Sequence, residues 1–423
     1  MDRRDFGGAV ALVGLAAALA SGRRLAAQET VDLELDFPTR PVNLALIGAG
    51  MWGKEIARSL AKVTNVKLKT VCDSAAVEKD KVAAIAPSAE FVDDYRRVLE
   101  DKAVEGVIVA TPTHRHRPIV LDALAAGKPV YCEAPLATSL DDLTAICRAA
   151  RDSKVLFQPG LQRRWHPFGK RVYSAMVDTS VQTPVVLHSQ SRQRVNWMRA
   201  GATPERARER SWQAYADSSL GPVGELGIHQ IDIANYWLRA KPTSVSCVGR
   251  MALYNSPNEP AWEVPDTSLC TLNYTEGLQA TLESSTASSH WGRSEEVVGI
   301  GATVLYRDNG EQSLGYLFKE TGTPALGWEV YAKKENLLGE IAIIMRPTPP
   351  GGFDIANLEA GHLTIGEPLH YSLGSFARRI DVGGAPRFGW QRAYEANLIA
   401  IRAAQSAREG RAVAIAPADY KLT

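Results

Sequence analysis

The segment at residues 48–53 (GAGMWG) has the residue types and spacing of a phosphate-binding turn. It follows an apolar run typical of a buried strand and precedes a segment with helical periodicity. Glycines at such a turn let the backbone approach a pyrophosphate that lies on the helix N-terminus. Asp73 follows 20 residues after Gly53, at the end of the second predicted strand, where an acid binds the hydroxyls of an adenosine ribose. No arginine or lysine follows Asp73 until Lys79, so a 2′-phosphate would lack a partner and NAD is favoured over NADP.

The ends of two further predicted strands carry polar residues, in the segments 110–116 (ATPTHRH) and 130–136 (VYCEAPL). In a parallel sheet, both reach the crevice outside the carboxyl ends of the strands, where ligands bind. His116 has two interpretations at this stage: it lies against a ligand in the crevice, or it caps the helix that follows.

The elements that must position these residues alternate between short apolar strands and helices from residue 42 to residue 160. Strands are predicted at residues 42–47, 66–72, 104–110, 129–132 and 155–157. Helices are predicted at residues 51–63, 77–85, 118–126 and 140–153. This alternation predicts an α/β fold class, with an NAD-binding Rossmann domain at residues 42–160 built on a doubly wound parallel sheet.

After residue 160 the pattern changes, because long β-prone stretches appear and helices become fewer. Strands are predicted at residues 184–191, 242–254, 267–274, 278–285 and 297–305, and helices at 229–238 and 391–409. Gly410 follows the last helix at the usual position of a C-terminal cap. Residues 161–423 are therefore predicted to form an α+β domain with an open, mostly antiparallel sheet.

The N-terminus has the pattern of an export signal. Arg3, Arg4 and Phe6 have twin-arginine spacing, and an apolar run follows at residues 7–20, which is too short to span a bilayer. We expect a twin-arginine-type signal peptide at residues 1–27, cleaved after Ala20 or Ala27, and a linker at 28–41. The expected location is periplasmic, without stable membrane insertion after cleavage. The alternatives are an uncleaved anchor and a misplaced start.

Composition excludes several classes of protein. The 423 residues carry 48 basic and 47 acidic side chains, and this balance gives no footprint for nucleic acid. A hydrophobic share of 45% with 22% charged residues excludes a disordered or coiled-coil chain. The five cysteines are scattered, with no pair or histidine at zinc spacing, so we expect buried thiols, no disulfide framework and no metal.

Six short motifs, taken in order, resemble those of the Gfo/Idh/MocA oxidoreductase family, which includes sugar and inositol dehydrogenases. They are GAGMWG, VCD, ATPTHRH, YCEAPLA, GLQRRWHP and GELGIHQIDIANYWL, and the resemblance covers essentially the whole chain after the signal. The resemblance implies an NAD-dependent enzyme that oxidises a carbinol of a sugar, cyclitol or sugar derivative. It also implies a homo-oligomer, since the open sheet of the second domain mediates dimers or tetramers in the family.

The resemblance also assigns roles to residues of the first domain. Those implied to line the pyrophosphate are Gly48, Gly50, Met51 and Trp52, with Asp73 on the adenosine ribose. Those implied to flank the nicotinamide end are Thr111, Pro112, His116 and Glu133.

In the second domain, the family's active-site acid and histidine correspond to Glu225 and His229, four residues apart before an amphipathic helix. A histidine there can take the hydroxyl proton as hydride leaves carbon. Asp232 either contacts substrate or orients the helix and His229. Arg163 is expected to donate to sugar hydroxyls or a carboxylate. Arg164 either does the same or forms an ion pair within the protein.

The chain departs from the family at the residues that transfer protons. Most members have lysine between the glutamate and the proline where this chain has Ala134, and the family acid is usually aspartate where it has Glu225. Three hypotheses follow. The first is a dehydrogenase that uses His229 with Glu225; the second is a redox-neutral NAD-dependent glycoside hydrolase acting by oxidation, elimination and reduction. The third is a non-catalytic, cofactor-containing sugar-binding protein.

Overall fold

The structure is a computed structural model that describes residues 37–177, 181–254, 262–308, 313–320, 326–332, 340–342, 363–365 and 368–422. The expected signal peptide and most of the expected linker lie outside these residues. None of the described helices combines the length and the apolar character needed to cross a bilayer.

The first part of the chain builds a parallel sheet. Its strands are β1 (Val42–Ile47), β2 (Val66–Cys72), β3 (Glu90–Val92), β4 (Gly106–Val109), β5 (Val130–Glu133) and β6 (Phe157–Gly160). All are parallel and lie in the order β3-β2-β1-β4-β5-β6, which confirms the predicted doubly wound sheet. β1 is apolar and almost wholly buried because helices cover both faces of the sheet.

The helices that connect these strands are α1 (Met51–Leu60), α2 (Lys79–Ala83), α3 (Tyr95–Glu100), α4 (His116–Ala125) and α5 (Leu140–Asp152). Most lie where the sequence predicts them. The sequence analysis missed β3 and α3, because both are short and too polar to show a clear apolar period.

The second part of the chain builds a larger sheet. Its strands are β7 (Pro184–Arg194), β8 (Ser244–Arg250), β9 (Thr267–Asn273), β10 (Gln279–Ser285), β11 (Ala287–Gly299), β12 (Ala302–Asp308), β13 (Ser313–Glu320), β14 (Leu326–Ala332) and, after two short strands, β17 (Val413–Ala414). The order is β14-β13-β12-β11-β7-β10-β9-β8-β17. Of the described neighbours, β7 and β10 are parallel and the others antiparallel, as predicted. The two short strands, β15 (Glu340–Ala342) and β16 (Leu363–Ile365), pair with each other.

One strand prediction was wrong. Residues 297–305 were expected to be continuous, but β11 ends at Gly299 and β12 begins at Ala302. The two strands form an antiparallel hairpin. A Cβ on Gly299 would stand 2.3 Å from Cγ1 of Val181, so glycine lets the chain pass close to Val181 where the turn begins, and the apolar run conceals the turn from a hydrophobicity pattern.

The helices in the second part of the chain are α6 (Pro167–Val177), α7 (Pro204–Arg210), α8 (Pro222–Glu225), α9 (Gly227–Leu238), α10 (Pro368–Val382) and α11 (Trp390–Glu409). As predicted, α11 ends at a left-handed Gly410, with φ of 64°. Helix α10 packs instead on the first sheet, where Leu373 and Phe376 are buried in one cluster with Leu44 and Leu46. The predicted division at residue 160 therefore omits one helix of the first layer.

The structure contradicts the expectation of five unpaired thiols. Cys247 on β8 and Cys270 on β9 form a disulfide, while Cys72, Cys132 and Cys147 are free and buried. The two paired cysteines are cross-strand partners in an antiparallel ladder, with Cα atoms 4.0 Å apart. A separation of 23 residues in sequence gives no sign of this pairing, because strand register alone brings the side chains together.

Candidate active site

The glycine turn between β1 and α1 provides a cradle with an open side. Gly48 has φ of 104°, and a Cβ there would stand 2.6 Å from the carbonyl carbon of Ala110. A Cβ on Gly53 would stand 2.0 Å from the oxygen of Gly48. A Cβ on Gly50 would meet no atom of the protein within 4 Å. Gly48 and Gly53 are therefore required by the fold, whereas Gly50 leaves open the space above the N-terminus of α1.

A cavity of about 2640 Å³ begins at this cradle and extends to the second sheet. We call it the central cavity. It brings together the predicted residues Gly48, Gly50, Met51, Trp52, Asp73, Thr111, Pro112, His116, Glu133, Arg163, Glu225 and His229. Asp232 does not line it. Met51 and Trp52 are both exposed at the start of α1, with Gly50 as the preceding cap residue.

Asp73 lies at the carboxyl end of β2 and is held in place by backbone amides. Its Oδ2 accepts from the N–H of Ala49 at 2.8 Å, and its Oδ1 accepts from the N–H of Ala75 at 2.8 Å. Each carboxylate oxygen keeps a second lone pair. The geometry thus presents a fixed acceptor beside the glycine turn, as the binding of a ribose hydroxyl requires.

His116 joins the loops that follow β4 and β5. Its ring nitrogens lie 2.9 Å from the carbonyl oxygen of Thr111 and 3.2 Å from that of Leu136, and the side chain is buried. Burial lowers the pKa of His116 to about 4, so the ring is neutral and donates to only one of these carbonyls at a time. His116 is also the first residue of α4. It therefore positions Thr111, whose Oγ1 is buried without a partner among the described residues.

Glu133, at the end of β5, is a buried carboxyl that favours its protonated form. Burial raises its pKa to about 8, and the indole N–H of Trp52 and the backbone N–H of Ala134 oppose this only in part. Its Oε1 has no partner in the described part of the chain. A Cβ on Gly160 would stand 2.8 Å from Oε2, so glycine at that position makes room for the carboxyl. The next residue, Ala134, also lines the central cavity but carries no group that could move a proton.

Glu225 and His229 lie on either side of a break between two helices. Helix α8 ends at Glu225, and α9 begins at Gly227 after Leu226. A Cβ on Gly227 would stand 3.0 Å from Oγ of Ser284 on β10, so the second helix starts hard against the sheet. This packing turns both side chains into the central cavity.

The carboxyl of Glu225 is held by hydroxyl groups from both domains. Ser219 donates to Oε1 at 3.1 Å, and Thr113 of the first domain donates weakly to Oε2 at 3.5 Å. Burial raises the pKa of Glu225 to about 8, although these hydroxyls and the N–H of Leu220 favour the ionised form. Sequence reasoning missed Thr113 as a support, although it lies within the ATPTHRH motif, and nothing in the sequence indicates Ser219.

His229 is neutral at neutral pH. Burial lowers its pKa well below the usual range, and the positive charges of Arg163 and Arg293 lower it further. Its Nδ1 is buried without a partner among the described residues. Arg293 on β11 was not found from sequence, since it is far from every recognisable motif.

The two neighbouring arginines have different roles. Arg163 lines the cavity and donates from Nη1 to Glu295 at 2.7 Å. Arg164 is buried and donates to both carboxylate oxygens of Asp232, at 2.6 and 2.8 Å. This ion pair occupies Asp232, so the placement does not support the prediction that Asp232 binds substrate; it supports the alternative in which Asp232 orients α9.

These features fit a dinucleotide that extends along the carboxyl edge of the parallel sheet. The cradle at Gly50 has room for a group that the protein does not supply, and Asp73 offers acceptors to a ribose. Thr111 and Glu133 contribute unpartnered oxygens at the ends of β4 and β5. Clusters of three or more metal-ligating side chains are absent from the part of the chain that the structure describes.

Comparisons with known proteins also indicate a dinucleotide-binding protein. Residues 42–161 match a family model described as an oxidoreductase family with an NAD-binding Rossmann fold, and residues 186–304 match the GFO/IDH/MocA C-terminal domain. The chain is 28% identical over 267 residues to scyllo-inositol 2-dehydrogenase (NAD(+)) of Bacillus subtilis (strain 168), covering 62% of this chain and 73% of that protein. It is 27% identical over 246 residues to 2,7-anhydro-N-acetylneuraminate hydratase of Escherichia coli (strain K12), covering 57% and 61%.

A solved structure of levoglucosan dehydrogenase, in complex with NADH and levoglucosan, is similar in fold. The TM-score is 0.71, and the match covers 89% of this chain and 100% of that one at 18% identity. At this level of identity the likeness establishes the fold alone.

Proposed function

The chain belongs to the Gfo/Idh/MocA family of NAD-binding oxidoreductases, and on that premise we propose that it oxidises a carbinol of a sugar, cyclitol or sugar derivative. The observation that carries the proposal is that Glu225 and His229 line the same cavity as the glycine cradle. The names of two similar proteins, an inositol dehydrogenase and a levoglucosan dehydrogenase, support a polyhydroxylated substrate.

NAD, when bound, supplies the hydride acceptor. The neutral imidazole of His229 is suited to take the hydroxyl proton of the substrate at Nε2, because burial and two nearby arginines keep the ring unprotonated. The same arginines oppose the imidazolium that results. Glu225 offsets this when it is ionised, since a carboxylate near a histidine favours the protonated ring.

Ala134 supports the assignment of proton transfer to this pair. The family lysine is missing, and Ala134 lines the cavity without a titratable group. We propose that His229 and Glu225 together replace it, with Ser219 and Thr113 holding the carboxyl in place.

A second candidate is the redox-neutral cleavage of a glycoside. In this reaction a ring carbinol is oxidised to a ketone, a base removes the proton from the adjacent carbon, and the aglycone leaves and takes a proton. Water then adds to the double bond that remains, and hydride and a proton reduce the ketone to the carbinol again. The raised pKa of Glu225 favours this candidate, because a carboxyl protonated at neutral pH is a ready acid for a leaving group. The hydratase name of one relative also denotes chemistry without net oxidation.

We further propose that the protein is exported to the periplasm and that it forms a homo-oligomer. Arg3, Arg4 and the apolar run at residues 7–20 support export. The disulfide between Cys247 and Cys270 is typical of an oxidising compartment. Val248 and Leu269, which are exposed cross-strand neighbours on the second sheet, support an apolar contact between copies.

The experiment incubates the purified protein with NAD and a panel of free sugars, cyclitols and aryl glycosides, and identifies the products by mass spectrometry. A product that has lost two hydrogen atoms, formed with NADH, supports the dehydrogenase. Release of aglycone without accumulation of NADH supports the second candidate and contradicts the first. If NAD binds and neither product forms with any member of the panel, both are wrong.

A further inference from the structure

Two arginines in the wall of the central cavity lie side by side on the segment between β7 and α8. Arg199 is half-buried, and Arg210 is the exposed last residue of α7. Both line the cavity that contains Glu225 and His229. Their proximity is unfavourable by itself, because burial and the charge of Arg210 both lower the pKa of Arg199.

The fold holds these arginines together through one buried serine. The hydroxyl of Ser211 accepts from the backbone N–H of Arg199 at 2.8 Å and donates to the carbonyl of Ala207 in α7 at 2.7 Å. Ser211 is fully buried. The turn before the helix is equally tight, since a Cβ on Gly201 would stand 2.2 Å from the nitrogen of Ala207. The backbone that carries the two arginines is therefore held in place, and the side chain of Arg210 is exposed on it.

Neither guanidinium meets a carboxylate among the residues that the structure describes. Arg199 donates to the carbonyl of Met198 at 3.2 Å and Arg210 to that of Ala200, and no acidic group of the described chain lies within ion-pair distance of either. The other two arginines of α7 are paired: Arg206 with Glu209 at 2.9 Å and Arg208 with Asp217 at 2.7 Å. Since a guanidinium has five N–H donors, most of the capacity of Arg199 and Arg210 is unused.

An aromatic stack lies directly beside this pair. Trp197 lines the cavity and stacks on Trp262, with ring centroids 5.2 Å apart and planes at 2°. Trp262 stacks in turn on Tyr254, at 4.4 Å and 12°. Trp212 lines the same wall. Trp197 and Trp262 are buried, so the stack is a rigid support behind the arginines, and the half-buried Trp212 is the aromatic side chain that can face a sugar ring.

We propose that Arg199 and Arg210 form a subsite that binds an anionic substituent of the sugar, so that the enzyme selects acidic sugars over neutral ones. The unused donors of the two forks match the oxygens of a carboxylate, a sulfate ester or a phosphate ester. This inference rests on the proposed function in taking the substrate to be a sugar. The pyrophosphate of NAD is the competing ligand for the two arginines, and the test distinguishes it from the anionic substituent of the sugar.

The test compares neutral glycosides with their uronate, 6-sulfate and 6-phosphate counterparts in the gluco, galacto and manno series. Both NADH formation and binding by calorimetry are measured, with and without NAD. We expect kcat/KM for at least one anionic member to exceed that of its neutral counterpart by about tenfold or more. Comparison of the uronates with the two esters shows whether the subsite prefers a carboxylate, a sulfate ester or a phosphate ester.

The variants Arg199→Gln and Arg210→Gln should each remove this preference by raising KM about 10- to 100-fold for the anionic substrate. The KM of the neutral counterpart should change by less than about twofold, because a neutral sugar loses no charged contact in either variant. Arg208→Gln is the matched control, since Arg208 is on the same helix but does not line the cavity.

Failure of this proposal differs from failure of the proposed function. Oxidation without any preference for anions, or equal losses on neutral and anionic sugars in the variants, overturns the subsite. Weaker NAD binding in Arg199→Gln or Arg210→Gln, with sugar discrimination intact, also overturns it. Preferential binding of anionic sugars without turnover supports the subsite and contradicts the dehydrogenase.

Discussion

Arg164 and Asp232 form a buried, two-pronged ion pair one helical turn beyond His229, with donor–acceptor distances of 2.6 and 2.8 Å. The guanidinium of Arg164 also lies over the rings of Tyr236 and Phe388, at 4.6 and 4.9 Å from the centroids. The pair therefore ties the segment after β6 to the helix that carries His229, and we propose that it positions α9.

Removing one partner should destabilise the fold more than it weakens substrate binding. Asp232→Asn leaves an uncompensated buried guanidinium, and we expect the free energy of unfolding to fall by about 3–5 kcal/mol. Urea denaturation followed by fluorescence measures the change. Arg117→Gln, which breaks an exposed pair with Asp142, is the control and should cost less than about 1 kcal/mol. An unchanged stability with a raised KM would instead place Asp232 in substrate binding.

Gly50 and Gly53 should respond differently to the same substitution. A Cβ on Gly50 meets no protein atom, so Gly50→Ala should keep the thermal midpoint of wild type while weakening NAD binding about tenfold or more. Gly53→Ala brings its Cβ against the oxygen of Gly48 and should lower the thermal midpoint. Calorimetric titration with NAD and thermal unfolding measure the two effects. Unchanged NAD affinity in Gly50→Ala would show that the cradle does not hold the pyrophosphate.

Much of the first domain could be predicted from sequence because its signals are local. The apolar run before Gly48 and the glycine spacing after it together specify a strand, a turn and a helix. Glu225 and His229 were assigned through the family resemblance alone. Their placement in the same cavity as Gly48 could not be derived, because it depends on the packing of α9 against the second sheet.

Contacts between residues that are distant in the chain were the hardest to predict from sequence. Two roles stayed open for Asp232, substrate binding and orientation of α9, because its partner Arg164, 68 residues earlier, cannot be recognised from the sequence. The pairing of Cys247 with Cys270 and the location of α10 on the first sheet were not predicted, for the same reason. Strand register and helix docking are tertiary properties that override local patterns.

The disulfide between Cys247 and Cys270 should be measurable by thiol labelling. In unfolded, unreduced protein we expect three thiols to react, those of Cys72, Cys132 and Cys147, and all five after reduction. Because the bridge closes a short loop, its removal in the double variant Cys247→Ser, Cys270→Ser should cost about 3 kcal/mol. That variant should give three thiols under both conditions. Five reactive thiols without reductant would contradict the pairing.

The buried carboxyl of Glu133 should make stability depend on pH. Its pKa is about 8 in the folded protein and 4.5 in the reference state, so unfolding releases a proton and the folded state becomes less stable as pH rises from 4.5 to 8. Glu133→Gln removes that titration, and we expect a flatter profile and a gain of about 1–3 kcal/mol at pH 8. Urea denaturation between pH 5 and 9 measures it. Glu90→Gln, at an exposed position, is the control, and a variant profile parallel to wild type would contradict the assignment.

The carboxyl of Glu225 should decide between the two proposed reactions through the direction of the pH profile. With a pKa of about 8, it is mostly protonated at pH 7 and ionised at pH 9. If its ionised form stabilises the proton that His229 accepts, the rate of NADH formation should rise through pH 8. If its protonated form serves a leaving group, the rate of aglycone release should fall through the same region.

Substitution at Glu225 separates its titration from other effects of pH on the rate. Glu225→Gln should abolish the change in rate near pH 8 and lower kcat by about 100-fold or more. Glu225→Asp, which restores the acid usual in the family, should keep a change in rate with pH and recover much of the rate. Thermal unfolding of both variants shows whether they are folded. A change in rate near pH 8 that survives in Glu225→Gln would transfer the titration to another group and leave His229 without its proposed partner.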